Sequence, residues 1–336
     1  MTHLTKGRIL VTGGSGFLGS ALIWELNQRG ITNILVSDIL GKDEKWKNLV
    51  ALKFTDYIEA DDLRKTVLEQ PQSLSKISTI FHLGACSSTT ETDASYLVHN
   101  NFEYTKLLAH FALDGGRRFI YASSAATYGS IAAALPESVA LDSLRPLNMY
   151  GYSKHLFDIY AERTGMLPHI TGLKYFNIFG PNEYHKGDMR SVVNKAFYQI
   201  RETGKARLFK SYRLGFPDGA QRRDFFYVKD AVAATVFLAE HVDGGGLFNI
   251  GSGEPNTFLD LARAIFDALG QEPNIEFIEM PEHLREKYQY YTCAHTAKLR
   301  AAGYTSKGTP LHDAVSDYVR HYLVPNKYLG DETEHG

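Results

Sequence analysis

Three sets of residues in this chain have types and spacings that suit chemistry. The first is VTGGSGFLGS, where Gly13, Gly16 and Gly19 punctuate a turn between an apolar run and an amphipathic one. Glycines there let the backbone approach a pyrophosphate closely, and the helix start that follows points amides at its charge. Asp38 ends the next apolar run, about 20 residues on, where a carboxylate can accept from the adenosine ribose of a dinucleotide and so favours NAD. Lys45, in GKDEKWKNL, has two readings of equal standing. It either neutralises the 2′-phosphate of NADP or is one more solvated lysine on a charged helix start.

The second set is Tyr150 and Lys154 in NMYGYSKHLFD, four residues apart and therefore on one face of a helix. An ammonium so placed can lower the phenol's pKa and hold a nicotinamide ribose. Ser124, in IYASSAATYG at the end of an apolar run, is placed to hydrogen-bond the same substrate hydroxyl. Tyr152 is a rival to Tyr150 but stands two residues from Lys154, on a different part of the helix surface. The third set is Lys186 in the polar run NEYHKGDMRSV, directly after the apolar GLKYFNIFG. It reads as a surface cation that salt-bridges or touches a phosphate, or, if burial lowers its pKa towards neutrality, as a proton carrier. Arg223, between Arg222 and Asp224, is either part of a solvated pair or a diphosphate ligand, and the guanidinium fork favours the phosphate. Cys86, in HLGACSS, reads as a small packed residue beside the cofactor rather than a nucleophile. His82 and His185 lack partner spacings that suggest a metal, so no metal is expected.

The elements that must carry these residues follow a βαβ rhythm: RILVTG, FLGSALIWELNQRG, NILVSDI, a helical stretch over 61 to 69, ISTIFHLGA and, after another helix, RRFIYASS. That rhythm predicts an α/β fold, a Rossmann-type doubly wound parallel sheet with right-handed crossovers. After about residue 177 it loosens, yet RDFFYVKDAVAATVFLAE and GLFNIG look like a helix and a strand that return to the first layer. The expected division is a dinucleotide-binding domain over 1–176 with returning segments at about 224–251. A smaller, discontinuous α/β substrate domain takes 177–223 and about 252–325, and 326–336 is a disordered tail. A net charge of -2 gives no electrostatic reason to expect nucleic acid or an anionic membrane as partner. No apolar run approaches the roughly 20 residues of a membrane span, and MTHLTKGRILVTGG reaches glycines too soon for a signal peptide. With two cysteines, which make no disulfide framework, the expectation is a cytosolic protein.

TGGSGFLGS, YASSAATYG and YGYSK together resemble the extended short-chain dehydrogenase/reductase superfamily, the group of NAD-dependent epimerases and dehydratases that mostly act on sugar nucleotides. FHLGACSSTTETD, NNFEYTKLL, YFNIFGPNEYHKGDMRSV and RRDFFYVKD are similar to the branch of it that inverts C6 of an ADP-linked heptose for the lipopolysaccharide core. The likeness runs from Arg8 to about Tyr322. It implies cofactor contacts from Phe17, Leu18, Asp38, Ile39, Lys45, Leu83, Gly84, Ala85, Cys86, Ser87, Asn100 and Ile178, with Lys154 on the nicotinamide ribose. It implies Tyr150 and Lys186 as the acid/base pair, because a ketone that has turned about its exocyclic bond points its oxygen away from Tyr150 and needs a second donor. For the substrate it implies Asn177, Asp188, Lys195, Phe209, Lys210, Ser211, Tyr212, Arg223 and Tyr288. NADP as cofactor, with NAD as the alternative, a nucleotide-sugar substrate and a pentameric homo-oligomer follow from the same resemblance. Three positions depart from the pattern: Ala60 stands where a second basic cofactor contact is expected, Asp188 replaces a small hydroxyl residue, and RLGFPDGAQ lengthens the loop before Arg223. Other readings are a 4-epimerase, a 4,6-dehydratase, against which ASSAATYG lacks an acidic pair, and a cofactor-sensing protein without chemistry, against which Ser124, Tyr150 and Lys154 stand.

Overall fold

The apolar runs become strands buried on both faces, as a parallel sheet covered by helices on each side requires. The computed structural model describes residues 3–130, 136–241, 244–285 and 288–331. In it β1 (Arg8–Thr12), β2 (Ile34–Asp38), β3 (Asp56–Glu59), β4 (Ile77–His82), β5 (Arg118–Ser124) and β6 (Thr171–Tyr175) are joined by a seventh strand, Gly246–Ile250. The spatial order is Gly246–Ile250, β6, β5, β4, β1, β2, β3, and every neighbouring pair is parallel. Side chains alternate between two cores. Ile9, Val11, Ile34, Val36, Phe81 and Ile120 point to one face, and Leu10, Leu35, Ile80, Phe119 and Tyr121 to the other. The first face is covered by helices Phe17–Gln28 and Val228–His241, which pack on each other, and the second by Tyr104–Asp114 and Met149–Arg163.

Function is positioned where β1 meets β4. The chain leaves β1 towards β2 and reaches β4 only later, so the connections diverge and open a crevice at the carboxyl ends of these two strands. The remaining strands are short and form pairs beside the main sheet. Asn177–Phe179 pairs parallel with Phe225–Tyr227, Ala206–Phe209 parallel with Ile275–Ile278, and Arg222–Arg223 antiparallel with Asn256–Thr257.

The expected tail is corrected over 326–331. Leu329 is fully buried, its N–H donates to Asn182 Oδ1 at 2.9 Å, and the Tyr328 ring lies edge-on to Tyr184. The burial of Leu329 holds this segment down although it follows the last helix. Residues 332–336 lie outside the described ones.

Candidate active site

The glycine turn packs so tightly that three of its four glycines admit no side chain; a Cβ on Gly14 would lie 2.6 Å from Val36 Cγ1. Gly13 has φ +67°, and a Cβ there would lie 2.6 Å from the Gly84 backbone; a Cβ on Gly19 would lie 2.0 Å from the Gly13 carbonyl oxygen. A Cβ on Gly16 would meet only that carbonyl, at 3.2 Å, so this glycine faces open space. The space is a cavity of about 330 Å³ bounded by Gly13, Gly16, Phe17, Leu18, Gly19 and the β4 exit Leu83–Ala85 with Ser87. At its far end Asp38 is locked in place: Ser15 N–H donates to Oδ2 at 2.9 Å, Ile39 N–H to Oδ1 at 2.7 Å, and Lys45 Nζ pairs with Oδ1 at 2.9 Å. Ile39 itself is 48% exposed and contributes only its amide. Cys86 and Asn100 do not line the cavity. Asn100 Oδ1 accepts from Arg64 at 3.1 Å, while the residue beside it, Asn101, clamps both the amide and the carbonyl of Cys86 at 2.9 Å and donates to Ser153 Oγ at 2.9 Å. Asn101 thereby ties the β4 exit to the helix carrying Tyr150, and no spacing in the sequence marks it.

That helix, Met149–Arg163, begins where Asn148 Oδ1 accepts from Gly151 N–H at 2.8 Å, which brings Tyr150 and Lys154 over the end of β5. Tyr150, Lys154 and Ser124 all line the cavity, whereas Tyr152 is 43% exposed and faces away. Burial raises the Tyr150 phenol, and the Ser124 hydroxyl pulls it back down. The downward pull expected from Lys154 is therefore not what decides this phenol. Lys154 is itself pushed down to about 8 by burial, with Asp158 opposing. Ser124 and Tyr150 also border a second cavity of about 290 Å³, lined with neutral polar groups from Thr89, Asn148, Asn177, Gln289 and Thr292. The two spaces thus meet at the serine and tyrosine. Of these polar residues only Asn177 was anticipated; Asn148 carries a readable helix-cap signal, and the others none.

Lys186 lies on the turn Tyr184–Met189 and enters the first cavity, its ammonium 5.1 Å from the centre of the Phe17 ring. It does not line the second cavity. Burial lowers its pKa, Glu183 raises it and Lys195 lowers it further. The turn is braced by buried Asn48, whose Nδ2 donates to the Ser15 carbonyl at 2.9 Å and the Asn182 carbonyl at 3.0 Å. His185 beside it is driven down to about 4 by burial and so is neutral at pH 7.

The remaining substrate candidates do not form one group. Phe209, Arg223 and Tyr288 cluster: Tyr288 stands edge-on to Phe209, and the Arg223 guanidinium sits 5.3 Å from the Tyr288 ring and 5.4 Å from Phe258. Ile178, expected against the cofactor rather than the substrate, lines the first cavity. Lys210 is paired with Glu279 at 2.6 Å, and Tyr212 is stacked under Arg285 at 3.9 Å. Ser211 bonds to the Arg213 carbonyl at 3.2 Å. Asp188 and Lys195 are exposed and bonded to each other through the Asp188 carbonyl at 3.2 Å. Among the described residues no group of three or more acids, histidines or cysteines is arranged to hold a metal, and no helix is long and apolar enough to cross a membrane.

A glycine-rich turn facing a helix start, with the Asp38 carboxylate held at the end of the neighbouring strand, fits a dinucleotide. Residues 9–251 match the profile of the NAD dependent epimerase/dehydratase family. The chain belongs to that family. Among its members, the ADP-L-glycero-D-manno-heptose-6-epimerase of Nitratidesulfovibrio vulgaris (strain Hildenborough) is 49% identical over 316 residues, covering 94% of this chain and 98% of the relative. That of Fusobacterium nucleatum is 44% identical over 326 residues, covering 94% and 98%. Of solved structures, Helicobacter pylori ADP-L-glycero-D-manno-heptose-6-epimerase superimposes with a TM-score of 0.78 at 25% identity, over 95% of this chain and 97% of that one. Bacillus cereus UDP-glucuronic acid 4-epimerase, in complex with UDP-glucuronic acid and NAD, gives 0.72 at 25% identity over 94% and 99%.

Proposed function

We propose that the protein interconverts ADP-D-glycero-D-manno-heptose and its L-glycero epimer at C6 through a 6-keto intermediate. The observation that carries the reading is that Tyr150 and Lys186 enter one cavity from separate elements, with Ser124 beside the tyrosine. The relatives of that name, alike over nearly the whole chain, support the substrate.

C6 of the heptose is an unactivated carbinol carbon, so inversion needs oxidation on one face and reduction on the other. A bound nicotinamide supplies the hydride acceptor and donor. Tyr150 takes the hydroxyl proton as C6 is oxidised, with Ser124 donating to the same oxygen, and Lys154 places a positive charge one helical turn away. After rotation about the exocyclic bond, Lys186 delivers a proton to the ketone oxygen as C6 is reduced. One O–H and one C–H bond are broken and remade; Tyr150 ends with a proton, Lys186 without one, and exchange with solvent restores both. Arg223, buried and without a carboxylate partner among the described residues, suits the substrate's diphosphate.

For the cofactor we favour NADP, with Lys45 moving from Asp38 to the 2′-phosphate. NAD is the second reading: the Lys45–Asp38 ion pair leaves the carboxylate facing a ribose diol, and Ala60 offers no further cation. A pentameric assembly and a cytosolic location belong to the same proposal, and sedimentation velocity tests the former. The deciding experiment is epimerisation of ADP-heptose in deuterated water, with mass spectrometry of the nucleotide released from the purified protein. Inverted product without deuterium at C6, and a released NADP or NAD, are expected. Label at C6 would mean deprotonation of carbon and would overturn the redox route.

A further inference from the structure

Glu183 is fully buried at the start of the Lys186 turn, a costly place for a carboxylate. Its oxygens are engaged by the far end of that turn. The Ser191 N–H donates to Oε2 in a short contact, and the Ser191 hydroxyl donates to Oε1 at 2.7 Å. The Gly180 N–H reaches Oε1 at 3.5 Å from the strand exit, and the Glu183 carbonyl accepts from Lys186 N–H at 3.1 Å. Ser191 in turn caps the helix Val192–Thr203, accepting from Asn194 N–H at 3.2 Å. One side chain therefore closes residues 184–190 into an arch, which Gly187 reverses at φ 52°, ψ -126°. A glutamine could accept the same amide, so closing the arch does not by itself call for a charge. The charge has a different partner. Among the described residues no acid lies within ion-pair distance of the Lys186 ammonium, and Glu183 is the acid that acts on it.

We propose that Glu183 is a positioning residue for Lys186: it pins both ends of the 184–190 arch that carries the lysine and places a carboxylate three residues before it. The proposal rests on the reading of Lys186 as a proton carrier. Other groups facing this lysine are Lys195, and across the cavity His185, Asp43, Lys45, Asp38, Lys154 and Tyr150, with Tyr318 against Glu183 from the other side. Glu183 raises the pKa of Lys186, so neutralising it lets that pKa fall. A step that needs protonated Lys186 then fails at lower pH.

The test is a cycle of Glu183→Gln, Lys186→Met and the double variant in the full-length, cofactor-loaded protein. Glu183→Gln should lower kcat about 10- to 100-fold, as expected for a misplaced catalytic group, with KM little changed and the alkaline limb of kcat moved to lower pH. In the Lys186→Met background the same change should alter kcat by no more than about twofold and shift no limb. Losses that multiply, or an unshifted limb in Glu183→Gln, would overturn the proposal. A normal kcat in Lys186→Met alone would remove the lysine from the chemistry and this role with it. If Glu183→Gln does not fold, Ser191→Ala keeps the carboxylate and removes one of its donors. It should speed hydrogen exchange over 184–190 and lower kcat only when Lys186 is present; a kcat loss of equal size in the Lys186→Met background would refute the positioning role.

Discussion

Replacing Arg223 by Met should separate binding from folding, because binding should weaken while folding stability stays nearly unchanged. The guanidinium is 9% exposed, donates to the Arg222 carbonyl at 2.9 Å, and lies over the rings of Phe258 and Tyr288 with no acid paired to it among the described residues. Burial pulls its pKa down. The free protein therefore bears a desolvation cost that the Arg222 carbonyl and the two ring contacts offset in part, the latter each worth about 0.5–2 kcal/mol. Methionine keeps most of the volume, loses those contacts and removes the cost, so the melting temperature should stay within about 3 °C of wild type. A charge-assisted contact to a diphosphate is worth about 1.5–3 kcal/mol, which is about 10- to 150-fold in affinity. KM for ADP-heptose should rise by that factor and kcat should hold within about threefold, since the contact is the same in ground and transition states. Thermal shift with ADP alone gives an independent reading: ADP should stabilise wild type and lose that effect in the variant. An unchanged KM with a melting temperature down by ten degrees would make Arg223 a packing residue and refute the phosphate role.

Lys186→Met should lower kcat for epimerisation about 10²- to 10⁴-fold while retaining redox exchange with a truncated aldehyde analogue in one orientation, and Tyr150→Phe should lose the other; a raised KM at normal kcat would make Lys186 a phosphate clamp. Lys45→Met should weaken NADP about tenfold or more and leave NAD unchanged in a titration of cofactor-stripped protein; equal effects on both would return Lys45 to the solvated surface. Lys154 is depressed from 10.5 to about 8 by burial, so between those values the unfolded chain holds a proton the folded one has lost. Its contribution to stability therefore rises with pH across that window. Cofactor-stripped wild type should gain melting temperature from about pH 8 to 10.5 relative to Lys154→Met, and parallel curves would show that the lysine is not so depressed.

The doubly wound half of the molecule is legible because burial on both faces writes each strand as a continuous apolar run, as in Ile9, Leu10 and Val11, and because the glycine turn is local. The reasons for Gly13 and Gly19 lie only six residues and one neighbouring strand apart. Asn48 and Asn101 were not legible. Their amides act across 134 and 52 residues of chain, on the Asn182 carbonyl and on Ser153, and an asparagine in a polar helix start looks the same whether it clamps a backbone or faces water. The partners of Lys210 and Tyr212 were not legible for the same reason: Glu279 and Arg285, which hold them, come from 69 and 73 residues further on.

Lys186 shows most clearly what spacing leaves out. NEYHKGDMRSV carries no apolar period, so its lysine reads as solvated, and whether it can exchange a proton near neutrality depends on burial. That burial is imposed from elsewhere. Asn48 braces the turn against the glycine loop, the Phe17 ring lies beside the ammonium, and Glu183 binds the two ends of the arch. Desolvation and Lys195 lower the lysine's pKa and the Glu183 carboxylate raises it, so its direction is set by opposed contributions. On the proposed reading of Lys186 as a proton carrier, that opposition suits a group that must give up its proton in one half of a cycle and regain it in the other: burial favours release, and the Glu183 carboxylate favours uptake.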